Sequence, residues 1–182
     1  MGDVPTLIDC GEYFPKSIET LQLGLANYGL KVEDLEQIVL THAHVDHMGA
    51  AGWLARESGA VVRMSEGVWP WVENFEASLS QRVAVLQNTY RQAGMPDTMQ
   101  QMFLEGLKAF RTVWSQIPEE QVALFDLAGG QTLHFAQDDW EVRYTPGHSV
   151  VQNSFYNAAK PMSYCCGCCF ASDPGSGGRA MP

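Results

Sequence analysis

Four potential metal ligands fall within six residues of this chain, in the run Thr41-His42-Ala43-His44-Val45-Asp46-His47. No other feature narrows the choice of fold so far, because burying three imidazoles and a carboxylate together is costly unless they bind something. The run follows Ile38-Val39-Leu40, an apolar stretch within Glu36 to Thr41 that reads as a buried strand. In an extended segment side chains alternate, so His42 and His44 point to one side and can grip a single ion. Asp46 and His47 come where the chain turns into the next helix, and that turn can aim them at a neighbouring position. Imidazole nitrogens with a carboxylate suit zinc, with manganese or iron as alternatives.

A second signal is Thr145-Pro146-Gly147-His148-Ser149, which follows a predicted strand over Trp140 to Thr145. Pro and Gly make a tight turn that presents His148 at a strand end, as a third nitrogen ligand to join His42 and His44.

The rest of the pattern supplies a scaffold. Thr6 to Gly11, Glu36 to Thr41 and Ala60 to Met64 read as strands, and Ser17 to Tyr28 and Gly49 to Ser58 as helices, which alternate as α/β layers do. Two apolar stripes at helical spacing follow. One runs from Val68 through Val72, Phe75, Leu79, Val83 and Leu86 to Tyr90; the other from Met99 through Phe103, Leu107, Phe110 and Trp114 to Ile117. They predict an antiparallel helical hairpin over about 66–118, which is core packing first and a cap over a site second. Val122 to Phe125, Gln131 to Phe135, Trp140 to Thr145 and Ser154 to Tyr156 read as short strands. The Gly-, Ser- and Pro-rich stretch at 175–182 reads as a disordered tail after a domain over 1–174.

The chain has 182 residues, enough for one domain with a real core. Its formal net charge is -10, with only 11 Lys and Arg, which argues against a nucleic-acid partner and for a small-molecule substrate. No apolar run is long enough for a membrane span, and no secretory leader is visible, so the expected location is cytoplasmic. Five Trp and the apolar hairpin offer an interface for a homodimer.

With both motifs in place, the sequence resembles the metallo-β-lactamase superfamily. The resemblance is carried by Thr6-Leu7-Ile8-Asp9-Cys10-Gly11, by the His-x-His-x-Asp-His run at 42–47 and by Thr145-Pro146-Gly147-His148-Ser149. It extends from residue 6 to about 157, with the hairpin as an insertion. It implies a four-layer αββα sandwich of the α/β (α+β) class, with metal at the strand ends. It implies that His42, His44 and His148 bind one ion, that Asp46 and His47 bind a second, and that Asp9 supports these ligands from behind. It further implies a hydrolase in which a metal-bound hydroxide attacks, with Asp46 orienting it or carrying a proton to the leaving group.

The family pattern also has a bridging aspartate and a final histidine beyond the His148 turn. Asp173 is the nearest counterpart of the first, and no histidine remains for the second. With few residues ahead of Leu7-Ile8-Asp9, the pattern is incomplete at both ends. Between lies Cys165-Cys166-Gly167-Cys168-Cys169, open to three readings: a metal or iron–sulfur site, an ordinary strand, or a shifted reading frame after about residue 160. The functions that follow are a hydrolase of small esters, thioesters or lactones, a nuclease of the same fold, or a non-catalytic metal-binding remnant.

Overall fold

The computed structural model describes residues 4–135 and 137–165, and the backbone of 168–171. Asp173, the tail at 175–182 and the side chains of Cys166, Cys168 and Cys169 lie outside the described residues.

Four short strands form a parallel sheet in sequence order: β1 (Thr6–Ile8), β2 (Gln37–Val39), β3 (Val61–Ser65) and β4 (Val122–Phe125). Ile38 sits between Leu7 and Val62 in the register. Parallel neighbours require crossovers, and helices α1 (Pro15–Ala26), α2 (Val45–Met48) and α3 (Ala51–Ser58) lie in the first two. The second sheet is an antiparallel meander of β5 (Gly129–Phe135), β6 (Asp138–Tyr144), β7 (Asn153–Asn157), β8 (Met162–Cys165) and β9 (Cys168–Ala171).

The central strand shows why these layers stack. Ile38 packs into a helix-side core with Leu40, Leu54, Ala55, Val62 and Met64, whereas Val39 packs between the sheets with Phe125, Phe135, Trp140, Val142 and Phe155. Both faces of β2 are therefore buried, as its unbroken apolar run requires. Between the sheets Phe135 stacks on Trp140 at 5.0 Å and meets Phe155 edge-on at 5.8 Å. Each such side chain contributes ~1.5–3 kcal/mol by burial. The outer face of the second sheet carries Thr132, His134, Glu141 and Arg143, all exposed, and no helix covers it among the described residues. The architecture is thus a partial αββα sandwich, with the helix–sheet–sheet layers in place.

The two helical stripes fold less simply than their periodicity predicts. The first is broken at Asn74 (φ -138°, ψ 62°) into α4 (Trp69–Glu73) and α5 (Phe75–Gln92). Side chains satisfy the carbonyls freed there: Gln116 Nε2 donates to Val72 O at 3.0 Å, and Ser78 Oγ donates to Pro70 O at 3.0 Å. The second stripe is helical only as α6 (Asp97–Lys108), then tightens into a 3₁₀ turn over Ala109–Val113 and runs extended. Trp114 and Ile117 keep their helical spacing in the sequence but are packed by tertiary contacts, with Trp114 stacked on Phe75 at 4.8 Å. The returning chain is fastened beside the histidine run, where Ser115 N donates to Gly49 O at 2.9 Å and Tyr13 N to Val113 O at 2.8 Å. Glycine is required there, since a Cβ on Gly49 would lie 2.5 Å from Val113 O. No helix of the described residues is long and apolar enough to cross a membrane.

Candidate metal centre

The strand ends of the parallel sheet and one loop of the antiparallel sheet converge on a group of four imidazoles. β1 leads into Asp9, whose backbone turns into the left-handed region (φ 55°), and Asp9 N donates to Val39 O at 2.9 Å. The Asp9 carboxylate is held by three donors. Thr41 N reaches Oδ1 at 2.9 Å; Thr41 Oγ1 and His47 Nδ1 reach Oδ2, each at 2.8 Å.

This arrangement fixes two tautomers. Thr41 has one hydroxyl proton and gives it to Asp9. The 2.9 Å contact between Thr41 Oγ1 and His42 Nδ1 must then be donated by the imidazole, which leaves the His42 Nε2 lone pair free. That Nε2 is buried and has no hydrogen-bond partner. His47 likewise donates from Nδ1 to Asp9, turning Nε2 outward. An orphaned buried nitrogen is unfavourable in a core and natural in a ligand.

Around His42 the rings of His47, His44 and His148 lie at centroid distances of 4.2, 4.6 and 5.2 Å. His148 arrives on the turn between β6 and β7, which is closed by Thr145 N to Gln152 O at 3.1 Å and Tyr144 OH to Val150 O at 2.8 Å. Asn153 N ties that turn to the histidine run by donating to Thr41 O at 3.0 Å. His44 Nδ1 and His148 Nε2 are 2.9 Å apart. Among the described residues, the groups able to hold an ion are His42, His44 and His148, and Asp9, His42 and His47, with ligand atoms within 4.8 Å of one another in each. Asp46 joins neither group; its side chain is 64% exposed and its carboxylate lies 3.6 Å from His47 Nε2.

Electrostatics separate three of the rings. Burial, then the neighbouring His47 and His44, hold His42 down to about 4, so it stays neutral at pH 7. Burial, then His148, lower His44, and the nearby Arg82 charge acts in the same direction. His47 is raised, chiefly by its hydrogen bond to Asp9. Neutral imidazoles with free lone pairs are what a divalent ion needs. The arrangement is a donor set of borderline-soft nitrogens with one carboxylate, and it fits such an ion.

Beside the centre lies a cavity of about 310 Å³. His44 and Asp46 form one wall, while Trp71, Phe75, Leu79, Leu86, Leu107 and Phe110 of the helical insertion form most of the rest. Residues of α4, α5 and α6 and of the 3₁₀ turn after it therefore line a cavity that His44 and Asp46 also line.

The sequence signals do not assign a role to Thr41, Asn153 or Arg82. Thr41 opens the histidine run, but its role depends on Asp9, beyond the end of another strand. Arg82 is hidden because the apolar stripe passes through its neighbour Val83. Of the three readings of the cysteine run, Met162–Cys165 and Cys168–Ala171 pair as antiparallel strands, and Gln152 Nε2 donates to Cys165 Sγ at 3.2 Å.

Comparison with known proteins agrees with this fold. A family model described as the metallo-beta-lactamase superfamily matches residues 2–162. A probable metallo-hydrolase, YqjP of Bacillus subtilis, is 48% identical over 48 residues, 26% of this chain and 15% of that protein. The exodeoxyribonuclease WalJ of Streptococcus pneumoniae is 40% identical over 68 residues, 37% of this chain and 24% of that protein. Among solved structures, the metallo-beta-lactamase family protein TTHA1429 of Thermus thermophilus superposes with a TM-score of 0.68 at 24% identity, covering 90% of this chain and 48% of the other. BJP-1, a subclass B3 metallo-beta-lactamase of Bradyrhizobium japonicum, superposes with a TM-score of 0.54 at 22% identity, over 84% of this chain and 46% of the other. The likeness to these structures is one of fold, and the chain spans about half their length and less of the curated relatives.

Proposed function

The chain belongs to the metallo-beta-lactamase superfamily, whose members are metallo-hydrolases, and from that we propose that it is a metal-dependent hydrolase of small esters, thioesters or lactones. His42, His44 and His148 hold one divalent ion, zinc by preference; Asp46 and His47 serve a second. The observation that carries this reading is the buried, unpartnered Nε2 of His42 amid three further imidazoles.

An ion held there supplies Lewis acidity, which lowers the pKa of water from ~15.7 towards ~7 and polarises a carbonyl oxygen. The chain's own residues do the rest. Asp9 and Thr41 fix the rings of His42 and His47, so that little reorganisation precedes binding. Asp46, exposed at the cavity wall, is free to pass a proton to a leaving group. The apolar wall of the insertion takes the body of an acyl substrate and thins the water around it.

A nuclease is the second reading, favoured by the stretch shared with the exodeoxyribonuclease. A net charge of -10 and the apolar cavity support the small-molecule reading over it. The test is a hydrolysis screen of the zinc-loaded chain on thioester, lactone, ester, β-lactam and phosphodiester substrates. The proposal expects turnover of an acyl substrate that chelation abolishes. Turnover of phosphodiesters alone would favour the nuclease, and no turnover with metal bound would leave a metal-binding remnant.

A further inference from the structure

We propose that Arg82 is a specificity residue, which selects substrates carrying an anionic group, a carboxylate in the first instance, on an apolar acyl body. The inference rests on the hydrolase reading and names the substrate class for the same site.

The cavity-lining residues of α5 are Phe75, Leu79, Arg82 and Leu86, spaced four, three and four apart along one helical face. Three are apolar and one is a permanent cation. Arg82 is exposed at the rim of the cavity, so its charge stays solvated while Phe75 and Leu79 beside it on the same face are buried. Among the described residues no carboxylate forms an ion pair with Arg82. Asp46 lines the same cavity without pairing to it, and Glu76, on the same helix, is engaged by Arg111 at 3.2 Å.

What Arg82 does contact is aromatic. Its guanidinium carbon lies 5.9 Å from the centre of the Trp71 ring. A guanidinium placed over a ring spends its face on that contact and keeps its N–H edges, which are the edges that grip a carboxylate with two parallel hydrogen bonds. The cavity thus offers a cation with free donors, apolar walls from Trp71, Phe75 and Leu79, and His44 of the metal centre close enough to feel the Arg82 charge. Its volume, about 310 Å³, is at the small end of ligand sites, so the matching ligand is a compact amphiphile and not a polymer.

The test compares octanoate with uncharged octanamide, titrated calorimetrically into the full chain after chelation and again after zinc loading. The proposal expects octanoate to be favoured by ~10-fold or more in the chelated protein, the range of one hydrogen-bonded charge pair. Arg82→Gln removes that preference and leaves octanamide affinity unchanged, and Arg82→Lys keeps part of it. Equal binding of the two probes by the chelated parent overturns the proposal. So does octanoate binding that appears only with zinc and is the same in Arg82→Gln. Failure of the chain to bind zinc would instead strike the hydrolase reading and leave the Arg82 comparison readable.

Discussion

The four imidazoles of the centre are held in two different ways. His42 and His47 are anchored to the parallel sheet through Thr41 and Asp9, with both tautomers set by protein hydrogen bonds. His44 and His148 come from a strand end and from a loop of the other sheet, and they hydrogen-bond to each other at 2.9 Å. The first pair is prepared for an ion by the fold, whereas the second pair must exchange its mutual bond for one. A metal site of this kind is rigid on one side and adjustable on the other, with the rigid side deciding whether an ion binds at all.

That contrast can be broken most sharply at His42. His42→Ala removes the anchored ligand and should lower zinc affinity by more than ~100-fold, beyond the effect of any supporting residue. Competition with a chromophoric chelator measures it, and an affinity within tenfold of the parent would mean that His42 is not a ligand. Asp9→Asn is next. It keeps the shape but weakens the acceptor that orients His47, and should cost ~10–100-fold in zinc affinity. The same competition assay checks it, with His148→Ala as the comparison on the adjustable side.

The third prediction concerns pH in the metal-free protein, where the anchored pair acts with opposite signs. The His42 pKa falls on folding from 6.5 to about 4, so between those values the unfolded chain binds more protons there and stability rises with pH. The His47 pKa is raised above 6.5 by Asp9, so its contribution is whole below 6.5 and is lost as pH rises through the raised value. Denaturation across pH 4 to 9 should show both limbs. His42→Gln flattens the acidic limb, and Asp9→Asn lowers the alkaline one while also shifting the acidic one, because Asp9 raises His42 as well; an alkaline limb unchanged in Asp9→Asn would contradict the assignment. The smallest effect is expected at His134, which is exposed on the outer face and pairs with Asp139 at 2.9 Å. His134→Ala should change stability by less than ~0.5 kcal/mol and leave zinc affinity unchanged.

The sequence makes the centre more legible than the cap. His42, His44 and His47 can be placed because strand alternation and the following helix are local rules, and they act within six residues. His148 can be placed because Pro146 and Gly147 announce a turn. Thr41 and Asn153 are illegible, since each acts through a partner far along the chain. The cap fails for a related reason. Apolar spacing runs smoothly through Asn74 and on to Ile117, yet Gln116, Tyr13 and Gly49 supply hydrogen bonds that let the helix break and the return segment extend. Periodicity records which residues are buried, and the partners of the backbone decide in what conformation. Asp173, the nearest sequence counterpart of a bridging carboxylate, lies outside the described residues, and Asp46 stands apart from both ligand groups.

The central claim is that the folded chain presents a metal site built on His42, and cobalt titration tests it most directly. Cobalt added to the chelated full chain should give a saturable visible spectrum of nitrogen-ligated, low-coordinate metal, with at least one ion per chain. The spectrum should be lost in His42→Ala and changed in His148→Ala. A chain that stays folded and shows no such spectrum, or one whose spectrum survives His42→Ala unaltered, would contradict it.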